Sequence, residues 1–395
     1  MGLSNAFLGV TGLSLLAWAY LLIGRSGFWR ARPRIEEEQA SAPMVWPAVA
    51  AIVPARNERE HVAAALRSLL RQEYPGRLAI LLVDDGSDDG TRAIAERLKD
   101  EAGGARRLEV IAATPLPPGW SGKLWAMAEG LSHAGRIVPD APYLLLTDAD
   151  IAHAADELAS LVAKAEAGRL DLVSLMVRLR CETPWERLLI PPFVFFFRML
   201  YPFAAVNDPR RRTAAAAGGC MLVRRDALDR AGGLEAIRGA LIDDIALARA
   251  IKHRPGRGQI WLGLTSRTRS LRPYVTLAHI WAMVARTADT QLRHSLPLLG
   301  GAVVGMAVAY LLPPLALVGV PLHRDLAVAS VGLLAWLAMS AVFLPTIGLY
   351  GLPRIWAATL PAAAALYMAM TVESAIRYRW GAGGSWKGRQ YPLEM

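Results

Sequence analysis

The sequence predicts an α/β domain over residues 48–295, with a doubly wound, mainly parallel sheet, held to a membrane by one N-terminal and about three C-terminal transmembrane helices. Two observations lead to this prediction. Short apolar runs that end in polar residues alternate with helical patterns, as in a sheet covered by helices on both faces. In addition, 54% of the 395 residues are hydrophobic, which is too apolar for a purely soluble chain.

The first element is a membrane anchor over residues 1–24. The stretch from Gly2 to Gly24 carries no charged residue and is long enough to cross a bilayer. No small-residue cleavage site of a signal peptide is present around Arg25, so we expect the anchor to be retained. Basic residues are frequent in the linker that follows, at 25–47. The positive-inside rule therefore places the domain in the cytoplasm.

Three buried parallel strands are predicted in the domain. Their centres are the apolar runs at 51–53, 81–83 and 144–146. The sequence between them has helical periodicity, with one helix opening near Asn57 and another capped at 89–91. This alternation of strand and helix predicts the doubly wound sheet.

Acidic residues follow each of these strands. In open α/β sheets, ligands bind beyond the carboxyl ends of the strands, so we expect these side chains to converge on one crevice. The acidic residues are, in chain order, Glu58, Asp84, Asp85, Asp148 and Asp150, with Asp243 and Asp244 later in the chain.

The spacing of Asp148 and Asp150 is compatible with a metal site. Both carboxylates can reach one hard divalent cation, Mg²⁺ or Mn²⁺, which prefers oxygen ligands. Two acids separated by one residue are also common in ordinary turns, and their place directly after a buried strand favours the site. The pair at 84–85 has a structural interpretation as a turn and helix cap. The pair at 243–244 could likewise do no more than stabilise a helix N-terminus.

The C-terminal quarter is predicted to lie in the membrane, at 296–374. It contains three apolar stretches that approach the roughly 20 residues a span requires. An earlier apolar segment at 188–206 is interrupted by prolines and an arginine, and we expect it to lie at the interface. With the domain in the cytoplasm, three spans after it would put the basic tail at 375–395 outside the cell. The positive-inside rule instead favours a cytoplasmic tail. The number of spans and the side of the tail therefore stay open.

The basic composition does not indicate a nucleic-acid partner. The formal net charge is +10, but the aromatic and basic residues are not organised as a stacking platform or reading motif. Anionic lipid headgroups are the simpler partner. Cys181 and Cys220 have no metal-ligand spacing, so free thiols are expected.

Six motifs, in this order, resemble those of the membrane-associated family-2 glycosyltransferases, which have the GT-A fold. Longer stretches such as PPGWSGKLWAM and IWLGLTSRTRSLRPY look like the hopanoid-biosynthesis-associated members of that family. The six motifs are VPARNE (53–58), VDDGSDDGT (83–91), GKLWAM (122–127), TDAD (147–150), GGCMLVRRDAL (218–228) and DDIALA (243–248).

The resemblance implies a nucleotide-sugar site. Carboxylates would accept hydrogen bonds from the ribose hydroxyls and the base. For Lys123 a plain surface position, and for Gly219 a bend at a strand edge, are the alternatives. The residues expected to bind the nucleotide-sugar are Pro54, Ala55, Glu58, Asp84, Asp85, Lys123, Asp148 and Gly219.

The resemblance also implies a metal and a catalytic base. Asp148 and Asp150 would hold the cation, which acts as a Lewis acid on the leaving diphosphate. Asp244 would take the proton of the acceptor hydroxyl in an inverting attack. Asp243 would tune it, since adjacent carboxylates raise one another's pKa. The family usually has Glu-Asp here, where this chain has two aspartates.

The implied activity is single transfer of a sugar from a UDP-sugar to a membrane lipid, a hopanoid or another isoprenoid lipid, by a multi-pass protein of the bacterial inner membrane. Processive members carry Gln-x-x-Arg-Trp near the membrane. Here residues 291–295 read QLRHS, which misplaces the arginine and lacks the tryptophan. Arg293 stays a candidate for the diphosphate. The alternatives are a polyprenyl phosphate or another non-hopanoid acceptor, or a non-catalytic membrane scaffold.

Overall fold

One mixed sheet of eight strands forms the centre of the sheet domain. The computed structural model describes residues 2–101, 107–254 and 258–380, with the backbone of 385–386 and 389–390. The strands are β1 (Val49–Ala55), β2 (Leu78–Asp84), β3 (Leu108–Ala112), β4 (Tyr143–Thr147), β5 (Ile151–Ala152), β6 (Leu172–Arg178), β7 (Cys220–Arg224) and β8 (Ile260–Ser270). Every residue of β1 and β2 is buried, because helices cover both faces of the sheet.

The strand order is β3-β2-β1-β4-β7-β6-β8-β5. The first four strands of this order run parallel, β7 runs antiparallel between β4 and β6, and β8 returns parallel to β6. The predicted α/β fold with a mainly parallel sheet is therefore confirmed. The predicted runs at 51–53, 81–83 and 144–146 lie inside β1, β2 and β4. Their carboxyl ends share one edge of the sheet, since all three strands are parallel.

Helices pack on both faces of the sheet and continue into an apolar bundle. The helices are α1 (Gly2–Ile23), α2 (Val62–Leu70), α3 (Thr91–Glu101), α4 (Gly122–Ile137), α5 (Glu157–Gly168), α6 (Pro184–Leu200), α7 (Phe203–Val206), α8 (Arg225–Arg230), α9 (Asp243–His253), α10 (Leu277–Ala285), α11 (Ala288–Gln291), α12 (Leu296–Met306), α13 (Leu312–Val318), α14 (Val320–His323), α15 (Leu326–Leu349) and α16 (Leu360–Arg379). Along β1, Ala50 and Ile52 enter one core while Ala51 and Val53 enter the other, as the alternation of side chains in a strand requires. Gly130 lets α4 approach the sheet, because a Cβ there would lie 2.6 Å from Ile52 Cγ2.

Within the described residues, five helical stretches are long and apolar enough to cross a membrane. Four of them coincide with the predicted N-terminal anchor and the three predicted C-terminal spans. The stretch at 296–318 is divided into α12, a π-helical turn (Ala307–Leu311) and α13. The turn ends two residues before Pro313, and neither Pro313 nor Pro314 can donate the backbone hydrogen bond of a regular helix. The candidate spans are Asn5–Ile23, Pro184–Val206, Leu296–Val318, Leu326–Leu349 and Arg354–Arg379.

The segment predicted to be interfacial contains most of α6 and all of α7. The helix α6 begins with a capping box at Thr183 and continues through Pro191 and Pro192. It is two-thirds buried inside the protein, at 67% of the apolar window, because it packs between the sheet domain and α15 and α16. Its interfacial position stays a prediction. The predicted basic tail is helical up to Arg379 and otherwise lies largely outside the described residues.

Candidate active site

Most of the predicted acidic residues surround one cavity of about 440 Å³ at the carboxyl edge of the sheet. The ends of β1 and β4 supply one part of its wall, and the first turns of α4 and α9 supply another. The predicted residues that line the cavity are Pro54, Glu58, Lys123, Asp148, Asp150 and Asp243. Convergence of distant motifs on one crevice therefore occurs as the strand ends predict.

Lys123 joins two of the motifs by ion pairs. Its Nζ lies 2.9 Å from Asp148 Oδ1 and 3.0 Å from Asp243 Oδ2. Ser121 caps α4 by accepting a hydrogen bond from the backbone N–H of Leu124, which fixes Lys123 in the first turn. Burial alone would lower the pKa of Lys123, but the two carboxylates hold it above its ordinary value. The side chain therefore stays charged and lies in the cavity, unlike a plain surface lysine.

Arg272 joins two further acids and was not identified from the sequence. It follows β8, donates from Nε to Asp150 Oδ2 at 2.7 Å and forms a second ion pair with Glu58. The residue belongs to the basic run SRTRSLRPY, whose arginines look alike in sequence. Arg267 of the same run instead pairs with Asp156 at 2.7 Å. Only the register of β8 distinguishes the arginine of the site from its neighbours.

Asp244 lies beside Asp243 in the first turn of α9 and is not itself among the residues that line the cavity. Its Oδ2 accepts a hydrogen bond from the backbone N–H of Gly218 at 2.9 Å, and Oδ1 accepts one from that of Ile245 at 2.8 Å. A Cβ on Gly218 would lie 3.3 Å from Lys123 Nζ and 3.5 Å from Asp244 Oδ2. The small residue at 218 thus lets the backbone approach both groups.

Burial, and then the charge of Asp243, raise the pKa of Asp244 to about 7, although Lys123 and the two backbone hydrogen bonds act to lower it. A carboxylate with a pKa near neutral can both accept and release a proton. The position at a helix N-terminus, which also favours a negative charge, accounts for the backbone hydrogen bond from Ile245. It does not account for a raised pKa, because a helix N-terminus stabilises the ionised form.

Asp84 and Asp85 lie at the same edge of the sheet, but their side chains contact Ser87 and Arg56. Asp84 accepts a hydrogen bond from the backbone N–H of Ser87 at 3.3 Å, as the turn interpretation expects. Asp85 lies 3.7 Å from Arg56 Nη1, and its backbone N–H donates to Ala55 O at 2.9 Å. None of these residues is among those that line the cavity.

Gly219 contributes to packing of the sheet. Its carbonyl oxygen accepts a hydrogen bond from Thr147 Oγ1 at 2.8 Å. A Cβ at this position would lie 3.2 Å from Val177 Cγ2 and 3.3 Å from Ile151 Cδ1, both of which belong to buried side chains. The glycine that faces the ionised groups is Gly218, one residue earlier.

The wall opposite the sheet edge is formed by α10, which the motifs did not predict as part of the site. His279, Ala282, Met283 and Arg286 line the cavity from this helix and its C-cap. The opposite side of α10 is buried against α6 and α16. In the described part of the chain, the side chain of Arg286 has no hydrogen bond or ion pair, unlike Lys123 and Arg272. Arg293, the candidate from the sequence, is exposed and does not line the cavity.

The donor chemistry of Asp148 and Asp150 fits a divalent cation. One oxygen of each carboxylate is paired with Lys123 or Arg272, and each carboxylate has further lone pairs. Among the described residues, no group of three or more His, Cys, Asp or Glu side chains forms a complete metal site. Mg²⁺ and Mn²⁺ at phosphate-transfer sites commonly take one or two carboxylates and complete their shell with phosphate and water. The two aspartates match that pattern.

Comparison with known proteins identifies the domain. Residues 50–232 match the model of Glycosyl transferase family 2. A mannosyltransferase from Pyrobaculum calidifontis, solved in complex with GDP-Man and Mn²⁺, is 20% identical over 94% of this chain and 99% of that chain, with a TM-score of 0.55. This likeness shows the fold.

Two other solved structures match less closely. TarS 1-349 of S. aureus, in complex with UDP-GlcNAc, is 16% identical over 85% of this chain and 92% of that chain, with a TM-score of 0.39. Glucosyl-3-phosphoglycerate synthase from Mycobacterium tuberculosis is 18% identical over 66% of this chain and 83% of that chain, with a TM-score of 0.41.

From the family match and the fold shared with the mannosyltransferase, residues 50–232 are a glycosyl transferase family 2 domain with the GT-A fold, and the chain is a glycosyltransferase.

Proposed function

We propose that this enzyme is inverting and metal-dependent, and that it moves one sugar from a nucleoside diphosphate sugar to the hydroxyl group of a membrane lipid. The main observation in its favour is that the two walls of the cavity differ. One wall consists of the acidic strand ends, and the other is α10, which packs on α16 and precedes the candidate span that begins at Leu296. A donor from water and an acceptor from the bilayer can therefore meet in it.

The donor end of the cavity supports a nucleotide-sugar. The motifs resemble those that bind UDP-sugars, whereas the mannosyltransferase from Pyrobaculum calidifontis was solved with GDP-Man. Asp148 and Asp150 would hold Mg²⁺ or Mn²⁺, which would supply Lewis-acid chemistry at the diphosphate. Arg286 is the cation of the cavity wall without a carboxylate partner in the described chain, so it is available to a phosphate oxygen. A UDP-sugar remains the first donor to test.

Asp244 performs the proton transfer in this proposal. The acceptor hydroxyl gives its proton to the Asp244 carboxylate while its oxygen forms a bond to the anomeric carbon. The bond from that carbon to the diphosphate oxygen breaks on the opposite face, so the configuration inverts. Lys123 and Asp243 position the base and set its pKa, because Asp243 raises it and Lys123 lowers it. The nucleoside diphosphate leaves with the electron pair.

The acceptor is proposed to be a hopanoid or another isoprenoid lipid of a bacterial inner membrane, with the sheet domain in the cytoplasm. Ala282 and Met283 give the α10 wall an apolar surface that suits the body of such a lipid. A polyprenyl phosphate is the second candidate. It would place the acceptor phosphate, and not the donor diphosphate, on the guanidinium of Arg286, which has no carboxylate partner among the described residues. The two acceptors differ in whether the accepting oxygen belongs to a hydroxyl or to a phosphate.

The test is mass spectrometry of a hopanoid-containing bacterial lipid extract after incubation with purified enzyme, UDP-sugars and Mn²⁺ or Mg²⁺. Asp244→Asn serves as the inactive control. A hexose- or hexosamine-sized mass gain on a hopanoid, present with the wild type alone, is expected. A gain on polyprenyl phosphate would identify the alternative acceptor. Donor binding without any gain, on any lipid, would contradict lipid transfer and favour a non-catalytic scaffold.

A further inference from the structure

A second cleft, which shares no lining residue with the active-site cavity, lies where the N-terminal apolar helix meets the end of α6. Its volume is about 130 Å³. It lies directly after the candidate span Asn5–Ile23, so this position is at the boundary between bilayer and water. The residues that characterise it are Tyr20, Arg25, Ser26, Leu200, Arg211 and Thr213.

Two arginines line the cleft from different parts of the chain. Arg25 donates to the carbonyl oxygens of Met199 and Leu200, at 3.1 and 3.5 Å, and so caps the C-terminal end of α6. Arg211 donates from Nη1 to Ser26 Oγ at 3.1 Å. A guanidinium has five N–H donors in a planar fork. Both arginines therefore keep donors for another acceptor after these contacts.

The charge around the cleft is predominantly basic. Arg210 and Arg212 flank Arg211 and are exposed. The acidic group in contact is Asp208, whose Oδ2 lies 3.6 Å from Arg211 Nε. A single aspartate at this distance, itself partly exposed, does not balance the arginines. The cleft therefore favours an anionic ligand with planar, bidentate acceptors, such as a phosphate.

The rim of the cleft is apolar on its membrane side. Tyr20 is 56% exposed and Leu200 is 48% exposed, although both are large hydrophobic side chains. Exposed apolar groups beside a basic site at this level match a ligand that has a hydrocarbon part and an anionic head. A free phosphate would use the arginines but leave the apolar rim in water.

We propose that this cleft binds an anionic phospholipid, with its phosphate on Arg25 and Arg211 and its acyl chains against Tyr20 and Leu200. This proposal does not depend on which donor or acceptor the active site uses, because the cleft lies at the end of the N-terminal span. It would attach the segment that connects α7 to β7 to the lipid surface, since Arg211 and Thr213 belong to that segment.

The test measures lipid retention by the full-length protein in detergent, by native mass spectrometry during titration with phosphatidylglycerol or phosphatidylcholine. Arg211→Gln removes one guanidinium while Arg25 continues to cap α6. Arg212→Gln is the matched control, because it removes the same charge from the same segment and does not line the cleft. Arg211→Gln is expected to weaken phosphatidylglycerol binding roughly tenfold, as for the loss of one charge-assisted contact.

The expected pattern is tighter binding of phosphatidylglycerol than of phosphatidylcholine, reduced by Arg211→Gln and unchanged by Arg212→Gln. Equal losses in the two variants would overturn the proposal, since they would indicate general attraction to positive charge. Equal affinity for the two lipids would overturn the anionic class. Displacement of the lipid by glycerol phosphate at similar concentration would overturn the lipid assignment in favour of a soluble phosphate. The melting temperature of each variant verifies that the fold is retained.

Discussion

The proposed role of Asp244 predicts a pH dependence of turnover with a definite sign. Burial, and then the charge of Asp243, raise the pKa of this carboxyl group from 3.8 to about 7. A general base acts in its deprotonated form, so turnover is full above that pKa and is lost as the pH falls through it. With one proton controlling the rate, turnover is expected to be about one tenth of its plateau at pH 6 and about one hundredth at pH 5.

The neighbours of Asp244 predict shifts in opposite directions. Asp243→Asn removes a negative charge that raises the pKa, so the midpoint of the profile should move to lower pH. Lys123→Met removes a positive charge that lowers the pKa, so the midpoint should move to higher pH. Both variants will also lose turnover at the plateau, because Lys123 contacts Asp148 and Asp243. The midpoint is independent of that loss.

The assay measures kcat/KM between pH 5 and 9 by release of the nucleoside diphosphate, because kcat/KM reports the pKa of the unliganded enzyme. Asp140→Asn is a suitable control, because this acid pairs with Arg77 at an exposed position away from the cavity. Its profile should coincide with that of the wild type. A wild-type rate that is flat from pH 5.5 to 8 would refute Asp244 as the base. Shifts of the two neighbouring variants in the same direction would refute the electrostatic account of its pKa.

Three further predictions concern single residues. Asp150→Asn should weaken Mn²⁺-dependent donor binding, as measured by calorimetry. Asp244→Asn should retain donor binding and reduce turnover about 10²–10⁴-fold. Equal donor affinities of the two variants would contradict this division of roles. Arg286→Gln should weaken nucleoside diphosphate binding roughly tenfold and leave nucleoside binding unchanged, with the exposed Arg293→Gln as the control; loss of both affinities would argue against a phosphate contact. Burial lowers the pKa of His153 to about 4. Below pH 6.5 the unfolded chain therefore takes up a proton that the folded protein does not, and the free energy of unfolding falls on acidification. The free energy of unfolding should fall by about 2 kcal/mol more between pH 7 and 5 in the wild type than in His153→Gln, and equal acid sensitivity of the two would show that His153 is not the cause.

The centre of the fold could be predicted because burial on both faces leaves a local signal. The runs at 51–53, 81–83 and 144–146 are apolar without alternation, and all three lie in fully buried strands. The direction of β7 has no such signal, since the apolar residues of Cys220–Arg224 would suit a parallel strand equally well. Pairing of β7 between β4 and β6 depends on residues far away in the chain. Local periodicity cannot supply that information.

The acids of the site and Lys123 were predictable from the motifs, whereas Arg272 and Arg286 were not. Acids directly after buried strands are unusual, because an unpaired carboxylate is costly at such a position. Arginines in an exposed strand or loop are ordinary, so Arg272 could not be separated from Arg267 before the register of β8 was known. Arg286 is also ordinary in sequence, and its place in the wall depends on how α10 packs against α6 and α16.

Lys123 and Arg272 explain how four carboxylates can share one cavity. Lys123 connects Asp148 after β4 to Asp243 on α9, and Arg272 connects Glu58 after β1 to Asp150. Each cation thus joins acids from two different elements and offsets part of their desolvation cost. In the proposed function, a divalent cation on Asp148 and Asp150 would add positive charge beside both, which would weaken the attraction of Lys123 and Arg272 to these carboxylates. The diphosphate of the proposed donor would compensate this charge, so metal and donor are expected to bind cooperatively, each raising the affinity for the other by the same factor.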